Sequence, residues 1–184
     1  MAVKLKPPLL VGDVTSLRAG DEVLITGVIY TARDAAHRRL AELIEHRRDL
    51  PLELEGQVIY YTGPTPPSPG RPTGSAGPTT SSRMDPFTPA ILSRGVRALI
   101  GKGERSQTVV EALQSHGAVY LAAVGGAGAL LAETVIAAEP VAYRELGPEA
   151  IYRFRVKDFP AVVVNDAHGG DLFRSGRDRY RRRS

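Results

Sequence analysis

The sequence contains no cysteine, two methionines and only four histidines in 184 residues. Without cysteine there is no disulfide framework and no thiolate catalysis. This chain also has no thiolate ligands for an iron–sulfur cluster or a cysteine-bound zinc. The histidines, at positions 37, 46, 116 and 168, show no paired metal spacing. No apolar run is long enough to span a membrane. Met1-Ala2-Val3-Lys4 leads straight into polar sequence, so no secretory signal is read and cytoplasm is the expected compartment. What is present is ordinary for a globular protein: 42% hydrophobic and 24% charged residues. At this length one domain with its own core is the default expectation.

The charge is unevenly placed. The formal net charge is +4. Residues 174 to 184 hold six Arg and one Asp, a net of +5, which leaves residues 1 to 173 with 18 basic and 19 acidic side chains. The body is therefore nearly neutral and the basic character belongs to the tail. A terminal block of like charge is expected to be solvated and disordered. The domain is accordingly read as 1–173, followed by a basic tail at 174–184. Salt-sensitive binding of nucleic acid by that tail is the minor reading, because no aromatic residues interleave a basic patch on the body.

Hydrophobic patterning predicts an α/β chain. Val23 to Tyr30 is apolar and β-branched and reads as a strand. From Asp34 to Glu45, Ala36, Leu40, Leu43 and Ile44 recur at helical spacing. Gln57 to Thr62 is a second strand. Thr88, followed by Pro89, reads as the N-cap of a short helix. Arg97 to Ile100 is a strand ending at Gly101-Lys102-Gly103. Ser106 caps a helix that runs to His116 and is ended by Gly117. Ala118 to Val124 reads as a buried strand and Ala129 to Ala137 as a helix. Ile151 to Val156 and Ala161 to Val164 read as two further strands. Three strand–turn–helix passages imply a partly parallel, mixed sheet.

Residues 63 to 82 differ in kind. Six of the fourteen prolines and four of the nineteen glycines fall between Gly63 and Pro78, followed by Thr79-Thr80-Ser81-Ser82. A stretch of this length without regular structure is usually functional or disordered. Its proline density argues for stiff, extended segments.

In α/β sheets, ligands gather at the C-terminal ends of strands. Four candidates lie at such positions or at the exit of the stiff loop. Arg33, after the first strand, could clamp a carboxylate bidentately; the alternative is a surface Arg beside a helix-capping Asp34. Thr79 and Arg83 join hydroxyls to a guanidinium; the alternative is a Ser/Thr-rich turn. Lys102 sits between two glycines in a pattern that is not a P-loop; the alternative is a solvated turn lysine. Gly125-Gly126-Ala127-Gly128 is not a dinucleotide fingerprint, since Leu131 stands where a third small residue belongs. His37 and Asn165-Asp166 read as structural. Three cations with neighbouring hydroxyls suit a small, multiply anionic ligand. No carboxylate–histidine pair and no metal-ligand set completes a centre, which points to a partner.

Four ordered runs carry a resemblance: Thr31-Ala32-Arg33-Asp34-Ala35-Ala36-His37-Arg38-Arg39, Gly77-Pro78-Thr79-Thr80-Ser81-Ser82-Arg83-Met84-Asp85, Ile100-Gly101-Lys102-Gly103 and His116-Gly117-Ala118-Val119-Tyr120-Leu121. Together they resemble the β subunit of class I fumarate hydratases, a module also found in L-tartrate dehydratases. The resemblance implies a swivelling β/β/α domain. It also implies a cysteine-bearing α subunit that holds a 4Fe-4S cluster, and reversible hydration of fumarate to (S)-malate. By the same resemblance Arg33 and Arg83 correspond to substrate-carboxylate ligands, Thr79 to a threonine base and Lys102 to a lysine near the substrate. The motifs leave fumarate, tartrate and mesaconate open as substrates. A reading of another class is a non-catalytic dicarboxylate-binding protein.

Overall fold

The computed structural model describes residues 2–123 and 126–180. Its elements in chain order are β1 (Val3–Leu5), α1 (Val11–Thr15), β2 (Glu22–Thr31), α2 (Asp34–Glu45), β3 (Val58–Tyr60), α3 (Thr88–Leu92), β4 (Ala98–Gly101), α4 (Gln107–His116), β5 (Val119–Ala122), α5 (Gly128–Glu133), β6 (Val135–Ala142), β7 (Ile151–Asn165) and α6 (Leu172–Tyr180). Short 3₁₀ segments cover Ser81–Met84 and Arg144–Glu149.

The sheet is mixed. Strand order is β1-β2-β3-β4-β5-β7-β6, and β2 also pairs with β7. The first five strands pair in parallel, whereas β7 runs antiparallel to β2, β5 and β6. Because β7 meets both β2 and β5, the strands β2, β3, β4, β5 and β7 close on one another.

Strand alternation divides the interior into two cores. Val58, Tyr60, Ala98, Ile100, Val119 and Leu121 face one core, together with Phe154, Val156, Phe159 and Val163 of β7. Their neighbours Ile59, Tyr61, Leu99 and Tyr120 face the other, with Ala36 and Leu40 of α2, Ile91 and Leu92 of α3, and Val109 and Leu113 of α4. The short parallel strands are thus covered on both faces, by antiparallel strand on one side and helices on the other. This is why they read as continuous apolar runs.

Several expectations hold. Helix α2 spans the expected residues. In α4, Ser106 accepts from the Val109 amide, and Gly117 takes the left-handed conformation (φ 58°) that ends the helix. Others need correction. Thr88 is not an N-cap: Phe87 holds that place, while the Thr88 hydroxyl donates to the Met84 carbonyl. The helix expected to run to Ala137 ends at Glu133, and Val135 begins β6. The two last strands are one strand of 15 residues. It bends at Asp158, whose φ of 51° is left-handed and whose amide donates to Thr26 Oγ1. The basic tail, expected to be disordered, continues the fold as α6 up to Tyr180. Residues 181–184, the end of the expected strand at Val124, and Gly125 of the glycine-rich turn lie outside the described residues.

Candidate active site

Adjacent parallel strands β2, β3 and β4 bring their C-terminal ends to one edge. Chain leaving β2 reaches Arg33. Chain leaving β4 reaches Lys102. Between them β3 runs out into the proline-rich excursion and returns at Thr79.

The excursion is clasped at its base. Tyr60 donates its hydroxyl to the Ala76 carbonyl at 2.5 Å, and Thr62 donates to the Gly77 carbonyl at 2.8 Å. Further out, the Thr65 amide donates to Ser75 and the Gly74 amide to Thr65. These bonds close a long loop into a fixed Ω shape. The chain then pairs back: Thr79 N–H donates to the Tyr61 carbonyl at 2.7 Å, Lys102 N–H to the Thr79 carbonyl at 3.2 Å, and Ser81 N–H to the Lys102 carbonyl at 2.9 Å. Thr79 and Lys102 are therefore held by one short backbone ladder, with Thr80 and Lys102 as a parallel bridge.

Arg83 follows on the 3₁₀ segment. Its Nε and Nη2 donate to the two carboxylate oxygens of Asp34 at 2.9 and 2.6 Å. Its Nη1 lies 3.5 Å from Thr79 Oγ1. Asp34 makes no capping hydrogen bond and stands inside the first turn of α2; it grips Arg83 instead. One edge of the guanidinium is thus occupied by a fixed carboxylate, and the remaining edge is aimed at the Thr79 hydroxyl.

Arg33 occupies the N-cap position of α2. Its Nη2 lies 3.4 Å from Glu149, and its Nε is buried without a hydrogen-bond partner. Gly63 makes this packing possible: a Cβ there would come within 2.9 Å of both Arg33 Nη1 and the Pro148 carbonyl oxygen. Lys102 is exposed, and among the described residues it forms no ion pair. All four sequence candidates therefore meet at one edge. The three cations are not equally available, since Asp34 and Glu149 already engage the two arginines.

Three features of the surroundings have no local sequence signal. His37 is completely buried. Burial lowers its pKa from 6.5 to about 4, against the opposing pull of the Arg33 carbonyl. The ring Nδ1 lies 2.9 Å from that carbonyl, so Nδ1 carries the proton and the imidazole is neutral. Its edge meets the Tyr61 ring at 5.1 Å. Arg105 lies beneath the strand ends with its side chain fully buried, paired with Asp85 at 2.7 Å. Tyr120 bonds both Ser81 and Gly103, and burial pushes its phenol pKa up to about 12. Asp166, expected to be a turn residue, is one: burial opposes its charge, but the amides of Ala19, Gly170 and His168 hold its pKa low.

The sequence has no cysteine, and the described residues include no group of three or more His, Cys, Asp or Glu able to hold a metal ion. The donor set of this chain does not fit an iron–sulfur cluster.

A family model described as Fumarase C-terminus matches residues 1–176. The class I anaerobic fumarate hydratase of Escherichia coli K12 is 40% identical over 175 residues, which cover 93% of this chain and 32% of that protein. A Geobacillus stearothermophilus protein, provisionally named class I fumarate hydratase, is 42% identical over 175 residues, covering 92% of this chain and 33% of its own. A Methanocaldococcus jannaschii protein, provisionally named L(+)-tartrate dehydratase subunit beta, is 37% identical over 167 residues, covering 88% of this chain and 86% of its own. The chain thus spans about a third of the two fumarate hydratases and most of the beta subunit.

Proposed function

The chain belongs to the Fumarase C-terminus family, and from that premise we propose that it is the β-type portion of a hydro-lyase that reversibly hydrates fumarate to (S)-malate. The observation that carries the proposal is the convergence of Arg33, Thr79, Arg83 and Lys102 at one strand edge, with Arg83 tied to both Asp34 and Thr79. The layering into two cores supports the swivelling β/β/α arrangement.

Removing a proton from the carbon beside a carboxylate spreads negative charge onto that carboxylate. Fixed cations stabilise this charge as it develops. In the proposal, Arg33 and Arg83 bind and orient the two substrate carboxylates, and Lys102, which forms no ion pair among the described residues, adds a third positive charge. Thr79 takes the proton. A threonine hydroxyl is a weak base, and the neighbouring Arg83 guanidinium favours its alkoxide form. Asp34 and Glu149 keep the arginines oriented before substrate arrives.

The proposal places the 4Fe-4S cluster, and the remaining acid–base groups, on a cysteine-bearing α partner, where the cluster would supply Lewis-acid chemistry. The 37% identity to the Methanocaldococcus jannaschii protein provisionally named L(+)-tartrate dehydratase subunit beta supports a second reading within the same class, a tartrate dehydratase β subunit, and mesaconate is a third acid to compare.

The test is reconstitution. The purified chain alone is expected to show no hydration of fumarate, and anaerobic mixing with the α partner is expected to restore it. Rates on fumarate, tartrate and mesaconate measured side by side then assign the substrate. A chain that turns over any of the three without a partner contradicts the shared-site proposal.

A further inference from the structure

Beneath the strand ends lies a buried polar cluster that touches no candidate substrate ligand side chain. We infer that Arg105, with its partner Asp85, is a positioning residue that fixes the Thr79–Arg83 segment against the Lys102 turn. The inference rests on reading those three residues as the working face of the site.

Arg105 spends its donors in three directions. Nε donates to Asp85 Oδ1 at 2.7 Å, Nη2 to Thr88 Oγ1 at 2.7 Å, and Nη1 to Tyr61 Oη at 3.3 Å. Its guanidinium lies over the Tyr61 ring at 5.3 Å and over the Tyr120 ring at 4.9 Å. Asp85 Oδ2 accepts from the Ser106 amide at 2.7 Å. The cluster therefore joins the chain just after Arg83 to the chain just after Lys102. Tyr120 makes a second join. Its one proton goes to the Gly103 carbonyl at 2.9 Å, so Ser81 Oγ is the donor in the 2.8 Å bond to Tyr120 Oη.

Stability alone is a poor reason for such a pair. The desolvation of two buried charges commonly offsets their attraction, and apolar replacements of similar volume are often as stable. Here the buried charge provides geometry. A planar fork with fixed donor directions specifies where three segments lie, which a lysine ammonium cannot do. The segments it fixes are those carrying Thr79, Arg83 and Lys102. Burial opposes the charge on Arg105, but Tyr61 and Asp85 hold its pKa above the ordinary value, so the cation persists throughout the working pH range.

The test uses Arg105→Lys, with Tyr120→Phe as a milder second variant in case the first fails to fold. Each is measured in the reconstituted complex for kcat and KM, and in the full 184-residue chain for Tm and amide exchange. Arg105→Lys is expected to lower kcat at least tenfold with KM changed less than threefold. Exchange of the Ser81 and Lys102 amides should rise at least tenfold, with β2 and β7 amides unchanged. Tyr120→Phe should shift both readouts in the same direction by about threefold. Wild-type kcat and wild-type exchange at Ser81 and Lys102 in either folded variant would overturn the inference. So would exchange raised uniformly across the chain, which marks general destabilisation. If the wild-type complex itself turns over none of the three acids, the functional reading fails, and the exchange pattern alone decides the positioning claim.

Discussion

Arg83 and Asp34 show how much a single pairing decides at this site. The guanidinium reaches Asp34 through two short bonds and still presents Nη1 to Thr79. Both partners are partly exposed, so the pair contributes on the order of 1 kcal/mol. Asp34→Ala in the assembled enzyme is therefore expected to lower kcat/KM about five- to tenfold, and unchanged steady-state kinetics would contradict the orienting role. His37 gives a second residue-scale expectation. Its pKa falls from 6.5 to about 4 on folding, through burial. The unfolded chain thus binds the proton more readily, and this contribution to stability is full above pH 6.5 and lost as pH falls toward 4. From the size of the shift, wild type should lose roughly 3 kcal/mol more than His37→Asn between pH 7 and pH 4. Urea unfolding at both pH values checks this, and parallel losses in the two proteins would contradict it.

The elements matter because they are packed so closely where the site residues leave them. At the end of β4, a Cβ on Gly101 would lie 1.9 Å from Ser81 Oγ and 2.8 Å from Tyr61 Cδ2. Gly101→Ala should cost about 1–3 kcal/mol through overpacking, read as a lowered urea midpoint; an unchanged midpoint would mean that the strand end is looser than its contacts imply. How far these elements could be read from sequence depended on how local their signals are. Helix α2 announced itself by its apolar period, and α4 by its Ser106 cap and terminating Gly117. The end of α5 did not, because Ala137 and Ala138 suit a helix as well as the strand they join, and β6 is set by pairing with β7 rather than by propensity. The bend at Asp158 made one strand look like two, since its positive φ is stabilised by Thr26 on another strand. That Arg33, Thr79, Arg83 and Lys102 lie near one another was legible because strand ends and a stiff loop mark such positions, whereas the roles proposed for them come from the family resemblance. Asp34 as the partner of Arg83, and Arg105 as the partner of Asp85, were not. Their pairings span 49 and 20 residues, and nothing local encodes them.

At the scale of the whole molecule, two cores flank the short parallel strands, and one edge gathers positive charge that the proposal reads as part of a reaction centre. It spans about a third of the two fumarate hydratases compared above, and it has no cysteine. Its charge likewise divides by region. The body is close to neutral, and the basic run that dominates the net charge begins in α6, whose Arg177 pairs with Glu104 at 2.8 Å. The central claim is that this chain supplies the carboxylate-binding arginines and the threonine of a hydro-lyase site completed by another chain. The most direct measurement is kcat/KM for fumarate, and for the other two acids, in the anaerobically reconstituted complex carrying Arg83→Ala. Losing a charge-assisted, bidentate-capable ligand should lower kcat/KM at least a hundredfold on the acid the wild type prefers, while the variant chain still binds the α partner. Wild-type kcat/KM in that variant would contradict the claim.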